Sequence, residues 1–113
     1  MGRSGSEIAV NRWEETKALI EELLKERCPE LEREEENDRV LFFCRGELYG
    51  SMAKLGEDRF AATVYSEKMS DPLHREFIRR AKEFLKGDVL EADTKLSSGV
   101  EQNFYYTYLH VKL

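Results

Sequence analysis

The alternation of apolar and polar positions sets out most of this chain, and the place where it fails is the most informative. Val40, Leu41, Phe42, Phe43 and Cys44 are apolar in succession. Neighbouring side chains on a strand point to opposite faces. A strand over residues 39–45 therefore needs apolar cover on both sides, as a central strand does. Clean alternation follows on either side of a short turn. Residues 47–54 put Leu48, Gly50 and Met52 on one face, and residues 59–66 put Phe60, Ala62 and Val64 on one face. Arg45-Gly46 and Gly56-Glu57-Asp58 read as the connecting turns, with glycine supplying positive φ. Three adjacent strands with short turns predict an antiparallel meander. Gly50, inside its strand, predicts a bulge or a close backbone approach.

Helical spacing brackets the meander. Over residues 11–28, Trp13, Ile20, Leu23, Leu24 and Arg27 share a stripe with Thr16 and Lys17. Asn11 followed by Glu14 reads as a capping box, and Pro29 ends the helix. Over residues 71–86 the signals are stronger. Asp71 is the cap, Pro72 takes the first helical position and Gly87 lies just past the end. Leu73, Phe77, Ile78, Ala81, Phe84 and Leu85 form its apolar face. Arg75, Arg79, Lys82 and Lys86 form a basic stripe on the surface, read first as solubility and ion pairing and second as a surface for an anionic partner.

Two strands close the chain. Residues 88–96 place Leu90, Ala92, Thr94 and Leu96 inward, with Glu91, Asp93 and Lys95 toward water. Gly99 is the expected turn residue. Residues 103–113 place Tyr105, Thr107, Leu109, Val111 and Leu113 on one face, and Phe104, Tyr106, Tyr108, His110 and Lys112 on the other. The predicted fold class is α+β: a single antiparallel five-stranded sheet with two helices, in the order α-β-β-β-α-β-β. Residues 11–113 form one domain of ordinary size. Residues 1–10, which open on a Gly/Ser-rich stretch, read as an unstructured leader or an expression remnant.

Charge narrows the partners. Net charge is -5, and residues 30–38 hold six acidic side chains against Arg33 alone, which accounts for the whole imbalance. That run reads as a solvated connector, without the ligand alternation and turn glycine of a calcium loop. A neutral body with an acidic loop is a poor start for binding phosphate backbones, so nucleic acid and anionic membranes are disfavoured. No transmembrane segment is read. Cys28 and Cys44 are expected as buried thiols of a reducing cytoplasm, with a disulfide between them as the alternative.

Catalytic chemistry has little to stand on. Ser51, Ser97 and Ser98 lack a nucleophile-elbow pattern. The two cysteines with His74 and His110 lack the close paired spacing of a zinc site. No glycine-rich phosphate loop occurs. No metal, cofactor or catalytic residue is assigned, and the chain is read as not an enzyme.

One surface stands out instead. Phe104, Tyr106, Tyr108 and His110, with Phe43 and Tyr65 alongside if their strands share the sheet, would make an aromatic sheet face. Tyrosine suits surfaces that are half wet and half buried, as interfaces are. The expectation is a small acidic protein-interaction module, adaptor or chaperone-like, homodimeric through this face or docked on another protein. The alternative is a small-molecule-binding domain or enzyme with a pocket near His110. By element order over residues 11–113 the chain resembles the small acidic dimeric chaperones of type III secretion and the related YbjN-type domains. The final helix common in those families is absent, and the likeness assigns no residues. It implies a dimer that binds polypeptide segments.

Overall fold

A computed structural model describes residues 12–98 and 103–113. The expected leader, the Asn11 cap and the Gly99 turn lie outside the described residues. The elements are α1 (Arg12–Lys25), β1 (Glu32–Glu35), β2 (Arg39–Cys44), β3 (Glu47–Lys54), β4 (Arg59–Ser66), α2 (Pro72–Leu85), a short 3-10 turn (Lys86–Asp88), β5 (Val89–Ser98) and β6 (Asn103–Lys112). The sheet has six strands, not five. Its order is β1-β2-β3-β4-β6-β5, with every neighbouring pair antiparallel.

The extra strand comes from the acidic run. β1 has the sequence Glu-Arg-Glu-Glu, and all four residues are exposed. Glutamate is a poor strand former, so nothing in the local sequence announces it. The ladder to β2 fixes it, pairing Arg33 with Phe42 and Glu35 with Val40. Two ion pairs anchor it to α1: Arg33 to Glu21 at 2.5 Å and Lys17 to Glu35 at 2.5 Å.

Both helices lie on one side of the sheet. Ile20, Leu23 and Leu24 of α1 and Leu73, Phe77, Ala81 and Leu85 of α2 share a single core with Val40, Phe42, Met52, Phe60, Ala62, Val64, Leu109 and Val111. Trp13 meets Phe60 edge-on at 5.3 Å between centroids, so the tryptophan stripe packs on the sheet. Lys54 Nζ sits 5.3 Å above the same ring, a cation–π contact.

Turn and cap chemistry is right at three expected positions and misplaced at one. Arg45 and Gly46 both take positive φ, at 50° and 84°, as a two-residue hairpin turn of the primed kind requires. The Leu73 amide donates to Asp71 Oδ1 at 2.9 Å, capping α2. At the other end of α2, positive φ falls on Lys86, at 51°, and not on Gly87.

Gly50 bears out both readings made of it. The β2–β3 register shifts between Phe42 and Phe43, opposite Gly50 and Leu48. A Cβ on Gly50 would lie 2.9 Å from Leu24 Cδ1, 3.2 Å from Ile20 Cγ2 and 3.2 Å from the Thr63 carbonyl oxygen. The Thr63 carbonyl is fixed in the sheet and cannot move aside. Gly50→Ala is therefore expected to destabilise by about 1–3 kcal/mol, despite the backbone entropy alanine saves. Urea unfolding checks this, and a variant as stable as the parent contradicts the tight α1–sheet contact.

β5 departs from the expected pattern. Its register shifts between Val89 and Glu91, which turns Leu90 out to 52 % exposure. Val89 takes its place opposite Val111. Leu96 shares a side with the core but is 51 % exposed.

The cysteines were expected as thiols and are instead joined, Cys28 to Cys44, with their Cα atoms 6.1 Å apart. The residues just past α1 are thereby tied to the end of β2. Sequence spacing cannot announce such a bond, because the sheet brings the two together.

Candidate interaction site

Among the described residues, no element covers the sheet face away from the helices. Alternation along β6 sends Thr107, Leu109 and Val111 into the core and leaves Phe104, Tyr106, Tyr108 and His110 half-buried on the other side. Tyr65 of β4 lies opposite Tyr106. The rings form a continuous row: Phe104 to Tyr65 at 5.9 Å, Tyr65 to Tyr106 at 6.4 Å, Tyr106 to Tyr108 at 6.3 Å and Tyr108 to His110 at 5.1 Å. Five of the six expected face residues thus come together. Phe43 shares the face but sits on β2, with β3 between it and β4.

Between these two places the face is low. Ser51 lies opposite Thr63, and Ala53 opposite Ala61. Thr63 in turn neighbours Tyr108, and Ala61 neighbours His110. The aromatic row on β6 is therefore a ridge, bordered by a trough of small side chains on β3 and β4. Leu41 and Phe43 rise on the far side. Leu41 was not among the expected face residues, although it shares its side of the strand with Phe43. The trough was missed because small residues look featureless until their neighbours are known.

One end of the ridge carries a polar cluster. Tyr108 donates its hydroxyl hydrogen to Glu91 Oε2 at 2.6 Å, and His110 Nδ1 lies 3.4 Å from Glu91 Oε1. The hydrogen bond to Glu91 pushes the Tyr108 hydroxyl up to about 12, so it stays protonated and remains a donor.

A second cluster, at the join of α2 and the sheet, has no local signal in the sequence. His74 is 4 % exposed. It shares hydrogen bonds with Ser66 Oγ at 2.6 Å through Nε2 and with Thr107 Oγ1 at 2.7 Å through Nδ1. Thr94 Oγ1 continues the chain to Thr107 at 2.6 Å. Burial pushes the imidazole below its ordinary value, against the pull of the Asp71 carboxylate. A neutral imidazole beside a serine hydroxyl is the pairing used to activate nucleophiles. Here a threonine, not a carboxylate, holds the second nitrogen, and the network pins α2 to β4, β5 and β6.

Unfolded His74 takes up a proton near pH 6.5, while the folded protein resists it to lower pH. The stabilisation is complete above that value and is lost as pH falls through the folded value. Thermal melts are expected to weaken below pH 6.5, and His74→Gln is expected to flatten that slope. That substitution should also cost about 1–3 kcal/mol at neutral pH by leaving buried hydroxyls unpaired. An unchanged slope in the variant would assign the pH response elsewhere.

Arg75, Arg79, Lys82 and Lys86 do line the exposed side of α2 and its end. Arg79, however, is engaged by Glu76 at 2.9 Å and Glu83 at 2.8 Å. A cavity of about 680 Å³ opens at one end of the sheet, lined by Arg27, Leu48, Tyr49, Tyr65, Asp71 and Phe104 among others. Arg27 and Asp71 form an ion pair in its wall. A second cavity, of about 410 Å³, lies between α2 and β5. His110 lines neither. Cys28, Glu30 and Cys44 place potential ligand atoms within 4.8 Å of one another, but the bonded sulfurs offer no thiolate. No described helix is long and apolar enough to cross a membrane. Comparison with known proteins finds no matching family model, no matching curated protein and no matching solved structure.

Proposed function

We propose that this protein is an interaction module without catalytic chemistry of its own, and that it pairs with a second copy through the open face of its sheet. The observation that carries this reading is the uncovered aromatic row Phe104–Tyr65–Tyr106–Tyr108–His110. Contiguous aromatic surface of this kind is seldom left bare on a monomer. A second copy is the occupant that fits the relief. In a two-fold contact each surface meets its own image. The ridge of one chain can enter the trough of Ser51, Ala53, Ala61 and Thr63 in the other, and the reverse. Tyr108 and His110 with Glu91 then sit at the rim, where polar groups belong.

Light scattering on a sizing column, across a hundredfold range of concentration, tests the reading. The mass of at least two chains is expected throughout the micromolar range. A strict monomer at the highest concentration would falsify it.

Two features together support a proposal of location. The disulfide favours an oxidising compartment or the cytoplasm of a hyperthermophile, where such bonds persist. The charged fraction of 36 % and the linked pairs Glu14–Lys17–Glu35 and Glu76–Arg79–Glu83 are the surface habit of heat-adapted proteins. We therefore keep the cytoplasm, of a heat-adapted cell.

A second reading has one observation in its favour. The cavity of about 680 Å³ combines Tyr49, Tyr65 and Phe104 with the charged Arg27 and Asp71, the mix of apolar wall and few polar groups that suits a small molecule. Under this reading the site moves away from His110. A fragment screen by protein NMR, with shifts gathered on these residues, would favour it.

A further inference from the structure

The two edges of the sheet are unlike. β1 is four residues long and charged throughout, which is how natural sheets discourage pairing with other chains. β5 is ten residues long, and among the described residues no strand pairs with its outer edge. It also exposes Leu90 and Leu96 to 52 % and 51 %. We propose that β5 is a second self-association site, at which two copies join edge to edge about a two-fold axis at Thr94 to form one continuous twelve-stranded sheet.

The register follows from hydrogen-bond direction and charge. The Thr94 amide donates to Asp93 Oδ1 at 2.8 Å. A side chain thus serves a backbone donor on the free edge, where a neighbouring strand would otherwise serve it. Directions alternate along a strand, so Ala92, Thr94 and Leu96 offer their backbone groups outward. With the axis at Thr94, that amide finds the Thr94 carbonyl of the second copy. Asp93 is released and faces Lys95 of the second copy, and the same pair recurs across the axis. Ala92 faces Leu96, and Glu91 faces Ser97. An axis at Asp93 or Lys95 sets like charges directly opposite, and one at Ala92 sets Glu91 against Asp93. Like charges directly opposite are destabilising. Thr94 is the one axis of these four that avoids this. It also brings Leu96 of the second copy to the helix side of the sheet, which carries the cavity lined by Met69, Ile78 and Thr94.

This contact does not rest on the open-face contact, and the two together give an assembly of four chains when their two-fold axes cross at right angles. Charge exchange along β5 tests it by sedimentation equilibrium on the full chain. D93K and K95D are each expected to raise the edge dissociation constant about tenfold or more. D93K/K95D, which restores both cross-strand pairs at unchanged net charge, is expected to recover it. Both positions of change are exposed, and circular dichroism confirms folding. Single variants that associate like the parent, or a double variant that fails to recover, overturn the proposal. If open-face substitutions leave the parent assembly intact while D93K dissociates it, the edge contact stands and the face contact fails.

Discussion

Tyr106→Lys with Tyr108→Lys is expected to halve the mass of the assembly at micromolar concentration while leaving the fold intact. The two rings stand at the middle of the ridge, opposite Tyr65 and Thr63 of β4 and Lys95 and Asp93 of β5. Aromatic anchors at the centre of an interface commonly contribute about 2 kcal/mol or more each. The two-fold contact holds both rings twice, so losing them and burying ammonium groups instead should weaken it by more than about 4 kcal/mol, over a thousandfold. Neither ring belongs to the core between the sheet and the helices. The melting temperature of the separated chain should therefore move little, as for other surface changes. A parent assembly that survives the double substitution with the same dissociation constant would remove the aromatic row from the interface. Thr63→Trp gives a complementary check from the trough side: it fills the groove that receives the ridge and should weaken the contact without removing any aromatic group.

Reducing the Cys28–Cys44 bond is expected to lower stability by about 3 kcal/mol, from the loop-closure entropy of a bond spanning about 15 residues. The sequence separation here is 16. For a chain of this size that corresponds to roughly 12 °C in melting temperature. The closed segment contains β1, whose exposed residues have little besides the β2 ladder and two ion pairs to hold them. Amide exchange in residues 32–35 should accordingly accelerate first. The measurement is a pair of thermal melts with and without dithiothreitol, alongside a thiol count that rises from zero to two on reduction. Identical melts, or two titratable thiols before reduction, would contradict the bond. Cys28→Ala with Cys44→Ala should reproduce the reduced melt. Both sulfurs are buried, so the double substitution adds a small packing loss to the lost cross-link.

Legibility in the sequence tracked how local the cause was. α2 is bounded by Asp71 and Pro72 because capping is decided within one turn, and it was placed correctly at that end. At its other end Gly87 was the natural terminator, yet Lys86 carries the positive φ, since the 3-10 turn over Lys86–Asp88 that follows is set by where β5 must begin. The alternation in β4 and β6 was read correctly, because one face of each is buried and a period of two leaves no ambiguity; in β3 the register shift sets Leu48 opposite Phe43, exposed and off the face of Gly50 and Met52 with which alternation had grouped it. β1 was missed for the opposite reason. Its residues have no strand preference and both of its faces are wet, so a partner strand alone defines it. Leu90 was placed inward because alternation was carried through a register shift that sequence does not mark.

For the candidate site, the aromatic row was legible residue by residue, and its setting was not. Phe104, Tyr106, Tyr108 and His110 follow from alternation along one strand, and Tyr65 joins them only if β4 lies beside β6. That adjacency, with β6 between β4 and β5, is a choice among strand orders that local sequence leaves open. The same choice separated Phe43 from the row and made the trough of Ser51, Ala53, Ala61 and Thr63.

The amino-acid sequence by itself determined the two helices, five of the strands and, away from the register shifts at Leu48 and Leu90, which side chains share a face, because each rests on contacts within a few residues. The tertiary structure alone decided the strand order, the sixth strand, the Cys28–Cys44 bond and the placing of both helices on one side of the sheet. Each of these depends on residues far apart in the chain, whose meeting is settled by how the whole apolar surface is best buried. That burial leaves one sheet face and one long edge without cover among the described residues.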